Sequence, residues 1–125
     1  MPVRFEIDVS RSLVTTVVTG TVSADDMLAY QAEVTADARF SPAFDALVEF
    51  SEGSVFAGTG DDIRRLAQTT PYSPETRRAY VVASDLHFGL SRMAQEYADM
   101  IGKQVEVFRD RQSALKWLRK ETKAR

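Results

Sequence analysis

The sequence predicts an α/β domain in which an N-terminal β-hairpin is followed by alternating βα units. These give a five-stranded, mostly parallel sheet with four helices. Three observations carry that expectation. The opening stretch VRFEIDV (3–9) alternates apolar and charged residues with a period of two, as a half-buried strand does. FDALVEF (44–50), RAYVVAS (78–84) and QVEVF (104–108) are short apolar-rich runs, suited to strands buried in a parallel sheet. The segments between them place apolar residues three and four apart, the spacing of a helix face. Strands alternating with helices form βαβ units with right-handed crossovers.

Taken in order, Val3, Phe5, Ile7 and Val9 form one side of the first strand, and Arg4, Glu6 and Asp8 the other. SRS (10–12) turns the chain into LVTTVVTG (13–20), a β-branched second strand. Ser23 caps the first helix, with Asp25 and Asp26 in the turn where the helix dipole favours negative charge. Met27, Tyr30 and Val34 share its inner face, and Phe40-Ser41-Pro42 ends the segment. The third strand is 44–50, and EGSVFAGTG (52–60) reads as a glycine-bearing loop. Thr59 caps the second helix, with Ile63, Leu66 and Ala67 inward. TTPYSPE (69–75) is a proline-punctuated loop before the fourth strand at 78–84. Leu90, Met93, Ala94, Tyr97 and Ile101 mark a third helix ending near Gly102. After the strand at 104–108, Asp110 opens the last helix, with Ala114, Trp117 and Leu118 inward. No repeat or linker interrupts residues 1–125, so a single domain is expected.

Composition narrows the function classes. The chain has no cysteine, which excludes a disulfide framework and thiolate metal sites. No apolar run approaches the roughly 20 residues of a membrane span. MPVRFEIDV lacks the regions of a signal peptide, so a cytoplasmic protein is expected. Residues 1–62 hold eleven acids against three arginines, and residues 63–125 hold thirteen bases against seven acids. Folding can interleave the two halves, so this asymmetry does not by itself define a partner surface. The basic stretch 109–125 includes Trp117, but Ala114, Trp117 and Leu118 are needed to cover the sheet. Its charges read as a solvated helix face, with no nucleic acid expected.

SDLHFGLSRMA (84–94) holds the single histidine and most of the candidate chemistry. Ser84 or Ser91, His87 and Asp85 supply the residue types of a hydrolytic triad. They crowd into eight positions, whereas a triad draws on separate elements so that the base is oriented from behind. GSVFAGTGDD lacks the lysine that a phosphate-binding loop needs. Asp25-Asp26 and Asp61-Asp62 are adjacent pairs in first helical turns, better suited to capping than to holding a metal. No catalytic residue, metal or cofactor is therefore expected. Arg92 lies in a first helical turn, where the dipole disfavours a cation, so it needs an acidic neighbour or an anionic ligand.

The phrases ARFSPAFDALVEFSEGS (38–54), RRAYVVASDLHFGLSRMAQEYA (77–98) and VEVFRDRQSALKWL (105–118) span most of the chain. In them the sequence resembles the STAS-like superfamily of anti-sigma-factor antagonists. It is most similar to the SpoIIAA-like branch, whose fold is related to lipid-binding CRAL-TRIO domains. The resemblance implies a single STAS-like domain acting as a non-catalytic regulatory or protein-interaction module. It also implies a phosphorylatable hydroxyl at a helix start, where this chain reads Ala57-Gly58-Thr59-Gly60. Thr59 is the analogue, although the family's flanking Asp and first Ser are absent; a plain N-cap is its other reading. The alternative function is a binder of a small apolar or lipid-like anionic ligand at the carboxyl ends of the strands. That reading draws on Phe56, Tyr72 and Phe88, with Arg92 on the anionic head. The expected binding rim is thus Phe56, Thr59, Gly60, Asp85, His87, Phe88, Ser91 and Arg92. Uncovered sheet edges allow a homodimer.

Overall fold

The computed structural model describes residues 2–82 and 104–123, with side chains through Arg119. Strands β1 (Val3–Asp8) and β2 (Leu13–Val18) form the expected antiparallel hairpin. Its connection is a single 3-10 turn over Val9–Arg11. There the Asp8 carboxylate accepts from the Arg11 amide, and Ser12 takes a left-handed conformation at φ 53°. Val9 consequently leaves the strand and is exposed, instead of continuing the apolar side of β1.

Strands β4 (Asp45–Phe50), β6 (Arg77–Val82) and β7 (Gln104–Phe108) add in parallel, giving the order β1-β2-β4-β6-β7. The five-stranded, mostly parallel sheet with its N-terminal hairpin is therefore as the sequence indicates. One element is new. Residues 52–60 are not all loop: β5 (Val55–Ala57) pairs in parallel with β3 (Thr21–Ser23), making a second, two-stranded sheet. Three-residue strands fall below what an apolar period can reveal. Here they form because two helix lead-ins run side by side after turns at Gly20 and Gly53, both at positive φ.

Helices α1 (Ala24–Ala36) and α2 (Gly60–Gln68) cover one face of the large sheet, and α3 (Arg111–Lys123) the other. The register explains the division. Val14, Ala46 and Arg78 lie side by side across three strands, as do Thr16, Val48 and Tyr80, and then Val18, Phe50 and Val82. These rows meet Tyr30 and Val34 of α1 and Ile63 of α2. The alternate residues Leu13, Leu47, Ala79 and Val81 meet Ala114 and Leu118 of α3. Trp117 is only half-buried; it stacks near Phe108 and carries the Arg77 guanidinium 4.5 Å above its ring. Three of the four expected helices are thus present among the described residues. The remaining one, read from Leu90 to Ile101, lies outside them.

Each described helix start is capped as its sequence suggests. Ser23 with Asp26, and Thr59 with Asp62, form reciprocal capping boxes, and the Asp110 carboxylate accepts from the Ser113 amide at 2.8 Å.

Candidate functional site

Of the expected rim, the described residues hold Phe56, Thr59 and Gly60. Asp85, His87, Phe88, Ser91 and Arg92 lie outside them, and so does the pairing of Thr59 with Arg92. Thr59 serves as the cap of α2. Its hydroxyl accepts from the Asp62 amide at 3.2 Å, and its own amide donates to the Asp62 carboxylate at 2.9 Å. The hydrogen bond from the Thr59 amide is the main reason that the Asp62 carboxyl is held below its usual range. Asp61 and Asp62 are also bridged to Arg64 and Arg65, one turn along the exposed face of α2. This acidic start is self-contained and would repel a phosphoryl group on Thr59.

Phe56 behaves differently. Its ring turns inward from β5 and lies so close to the Gly58 backbone that a Cβ at position 58 would overlap it. Gly58 is therefore glycine because of this approach. The inward ring joins Val48 and Phe50 of β4, Ile63 and Leu66 of α2, and Met27 and Val34 of α1 around a cavity of about 90 Å³. This cavity lies between the sheet and its two helices, and apolar side chains form most of its wall.

The polar end of the cavity is at the opposite end of the sheet from Thr59. Tyr72 belongs to the loop between α2 and β6, and Arg78 is the second residue of β6. Both therefore sit at the amino ends of the parallel strands, whereas the sequence groups Tyr72 with Phe56 at the carboxyl ends. The two aromatics do line one cavity, but from its two ends. Arg78 points to the face covered by α1 and α2 because strand alternation puts it in phase with Tyr80 and Val82. It is 6% exposed. Its Nη1 donates to Thr70 Oγ1 at 3.1 Å, and its guanidinium lies 5.7 Å from the centre of the Tyr72 ring. Among the described residues no carboxylate lies within ion-pair distance of it.

Two phenols complete this polar end. The Tyr30 hydroxyl bonds to Thr16 Oγ1 at 2.6 Å, deep under α1. Tyr72 packs edge-on against Phe40 at 5.4 Å. Burial pushes the ionisation of both phenols upward, more than the nearby Arg78 charge lowers it. Both stay protonated at physiological pH, as hydrogen-bond donors and poor bases. The cavity can therefore solvate an anion through one permanent cation and neutral hydroxyls, while offering an apolar wall to the rest of a ligand.

Sequence reasoning missed Arg78, Tyr30 and Thr70 as site residues. One signal was present: an arginine in phase with Tyr80 and Val82, on a strand apolar enough to be buried on both faces. Such a position forces a cation inward.

The second hollow, about 520 Å³, lies on the opposite face between the hairpin and α3. Glu6, Asp8, Arg11, Arg39 and Arg111 line it with mixed charge, and Arg111 is already bridged to Glu49 at 3.3 Å. It has the character of a solvated surface. Among the described residues no group of three or more histidine, aspartate or glutamate side chains is arranged to hold a metal, and no helix is long and apolar enough to cross a membrane.

No family profile matches the chain, and no curated protein matches it. Among solved structures it is similar to an uncharacterized protein from the DUF3478 family with a SpoIIAA-like fold, from Shewanella loihica PV-4. The two share 17% identity over 93% of each chain, with a TM-score of 0.59. The chain thus has the SpoIIAA-like fold.

Proposed function

We propose that this domain is a non-catalytic binding module that takes a small, mostly apolar, anionic ligand into the cavity between the sheet and helices α1 and α2. The observation that carries this reading is Arg78, a buried cation on an apolar cavity wall with no carboxylate among the described residues. Taking a charge out of water costs several kcal/mol unless a counter-charge answers it. A ligand anion is the partner that the described fold omits. The protonated phenols favour binding over proton transfer, since neither serves as a base.

A protein-interaction role draws less support from the described surface. Its large exposed apolar side chains are Val9 and Val55, on separate elements. The ligand also enters from a different direction than the loops suggest: its charged end lies at the amino ends of the strands and its apolar end toward Phe56.

Methyl-resolved NMR tests this. A panel of small anionic, neutral and cationic compounds at millimolar concentration is expected to shift the methyls of Val48, Ile63 and Leu66, with anions strongest. If those methyls stay still for every compound while shifts appear elsewhere or nowhere, the reading fails.

A further inference from the structure

Resting on the binding reading above, we propose that the ligand is a short-chain monocarboxylate. Its carboxylate lies on Arg78 and Thr70, and its hydrocarbon end against Val48, Ile63 and Phe56.

Charge selects the head group. Arg78 is the single charged residue on the described cavity wall. One buried positive charge balances one negative charge. A phosphate monoester brings about −1.5 to −2 at neutral pH, and the excess would lie uncompensated among apolar side chains. The guanidinium geometry agrees. Its hydrogen bond to a described residue uses Nη1 and leaves Nη2 and Nε, and this fork matches the two oxygens of a planar carboxylate. The Tyr72 ring against the same guanidinium restricts the plane in which that fork lies.

Volume selects the tail. A cavity of about 90 Å³ is smaller than the roughly 150 Å³ void that accepts benzene. By that comparison it suits a tail of only a few carbons beside the head group. Phe56, whose ring is itself held against Gly58, lines the cavity at the end away from Arg78. A straight acid of three to five carbons suits a space of this size, whereas a long acyl chain exceeds it.

The test is a titration of the full chain at pH 7 with butyrate, 1-butanol, butylammonium and butyl phosphate, then with straight acids of two to ten carbons. Butyrate is expected to bind at least about 10-fold more tightly than butanol or butyl phosphate, the scale of a hydrogen bond to a charged group. Affinity should peak near four carbons. R78M should lose about 10- to 100-fold for butyrate while leaving butanol affinity unchanged, and R78K should retain part of the difference. Should R78M fail to fold, the butyrate–butanol ratio in the wild-type chain decides the matter alone. Equal binding of butyrate and butanol would overturn the carboxylate assignment and leave the apolar cavity standing. An optimum beyond six carbons would overturn the size argument. Binding of none of these compounds, with still methyls in the panel above, would remove the binding reading itself.

Discussion

Replacing Arg78 with methionine should make the ligand-free protein more stable. Methionine matches the length of the arginine stem and carries no charge, so the substitution removes the cation while filling most of its volume. Two favourable interactions disappear. The charge-assisted hydrogen bond to Thr70 at 3.1 Å contributes about 1.5–3 kcal/mol. The contact with the Tyr72 ring, at 5.7 Å near the outer limit for such pairs, contributes about 0.5–1 kcal/mol. Against these stands the cost of keeping a guanidinium 6% exposed without a described carboxylate, of the order of several kcal/mol. The buried thioether replaces an apolar stem that arginine already buries, so it preserves that packing and adds little to it. The Thr70 hydroxyl, only partly buried, can bond to water instead. The balance favours R78M by about 1 kcal/mol or more. For a chain of 125 residues this is a rise in Tm of about 4 °C per kcal/mol. Urea denaturation followed by circular dichroism should show a higher midpoint at an unchanged slope. Adding butyrate should raise the wild-type Tm but not that of the variant. A midpoint lowered by 1 kcal/mol or more in R78M would refute the reasoning, because it would make Arg78 a structural member of the core and not a cation awaiting a ligand.

Three further outcomes follow from other contacts. Tyr30→Phe keeps the edge contact with Phe5 at 5.9 Å but strips the partner from Thr16 Oγ1, whose residue is fully buried. Equilibrium unfolding should show a loss of about 1–3 kcal/mol. Gly58→Ala should push the Phe56 ring out of the cavity at a cost of about 1 kcal/mol and weaken ligand binding. In a double-mutant cycle the same substitution should be nearly silent beside Phe56→Ala, and additivity of the two would contradict the proposed clash. Thr59→Ala should cost about 1 kcal/mol through the lost cap, and because the amide that chiefly depresses Asp62 remains, its titration midpoint should rise only slightly, as followed by carboxyl-carbon NMR. Since the folded-state pKa of Asp62 is depressed below 3.8, its contribution to stability is full above 3.8 and is lost as the pH falls from there through the lower folded-state value. The variant should therefore keep most of its acid sensitivity below about pH 4; an unchanged unfolding midpoint would count against the capping box.

Local physics made most of the fold legible. The alternation in VRFEIDV, the caps at Ser23 and Thr59, and the spacing of Tyr30 with Val34 are properties of neighbouring residues, and each element appears where those patterns place it. The two-stranded sheet was not legible. Residues 21–23 and 55–57 are too short to carry a period, and they are extended because their helices bring them alongside one another. The candidate site was legible only in fragments. The sequence marks Phe56 and Tyr72 as ligand-facing aromatics, and both line the cavity, but from opposite ends of the strands. Of the remaining expected rim, Thr59 and Gly60 belong to a closed cap, and the residues from Asp85 to Arg92 fall outside the described chain.

Among the described residues, the amino-acid order by itself determined the five strands of the large sheet, the three helices and which of their faces are apolar, because those follow from periods and caps within a few residues. Tertiary structure alone decided that Arg78 ends up beside Thr70 and Tyr72, under Tyr30 and with no described carboxylate. A side chain's charge environment depends on what the neighbouring strands and the covering helices bring to it. In the sequence, Arg78 and Tyr30 are 48 positions apart, and nothing local to either indicates that the two line one cavity.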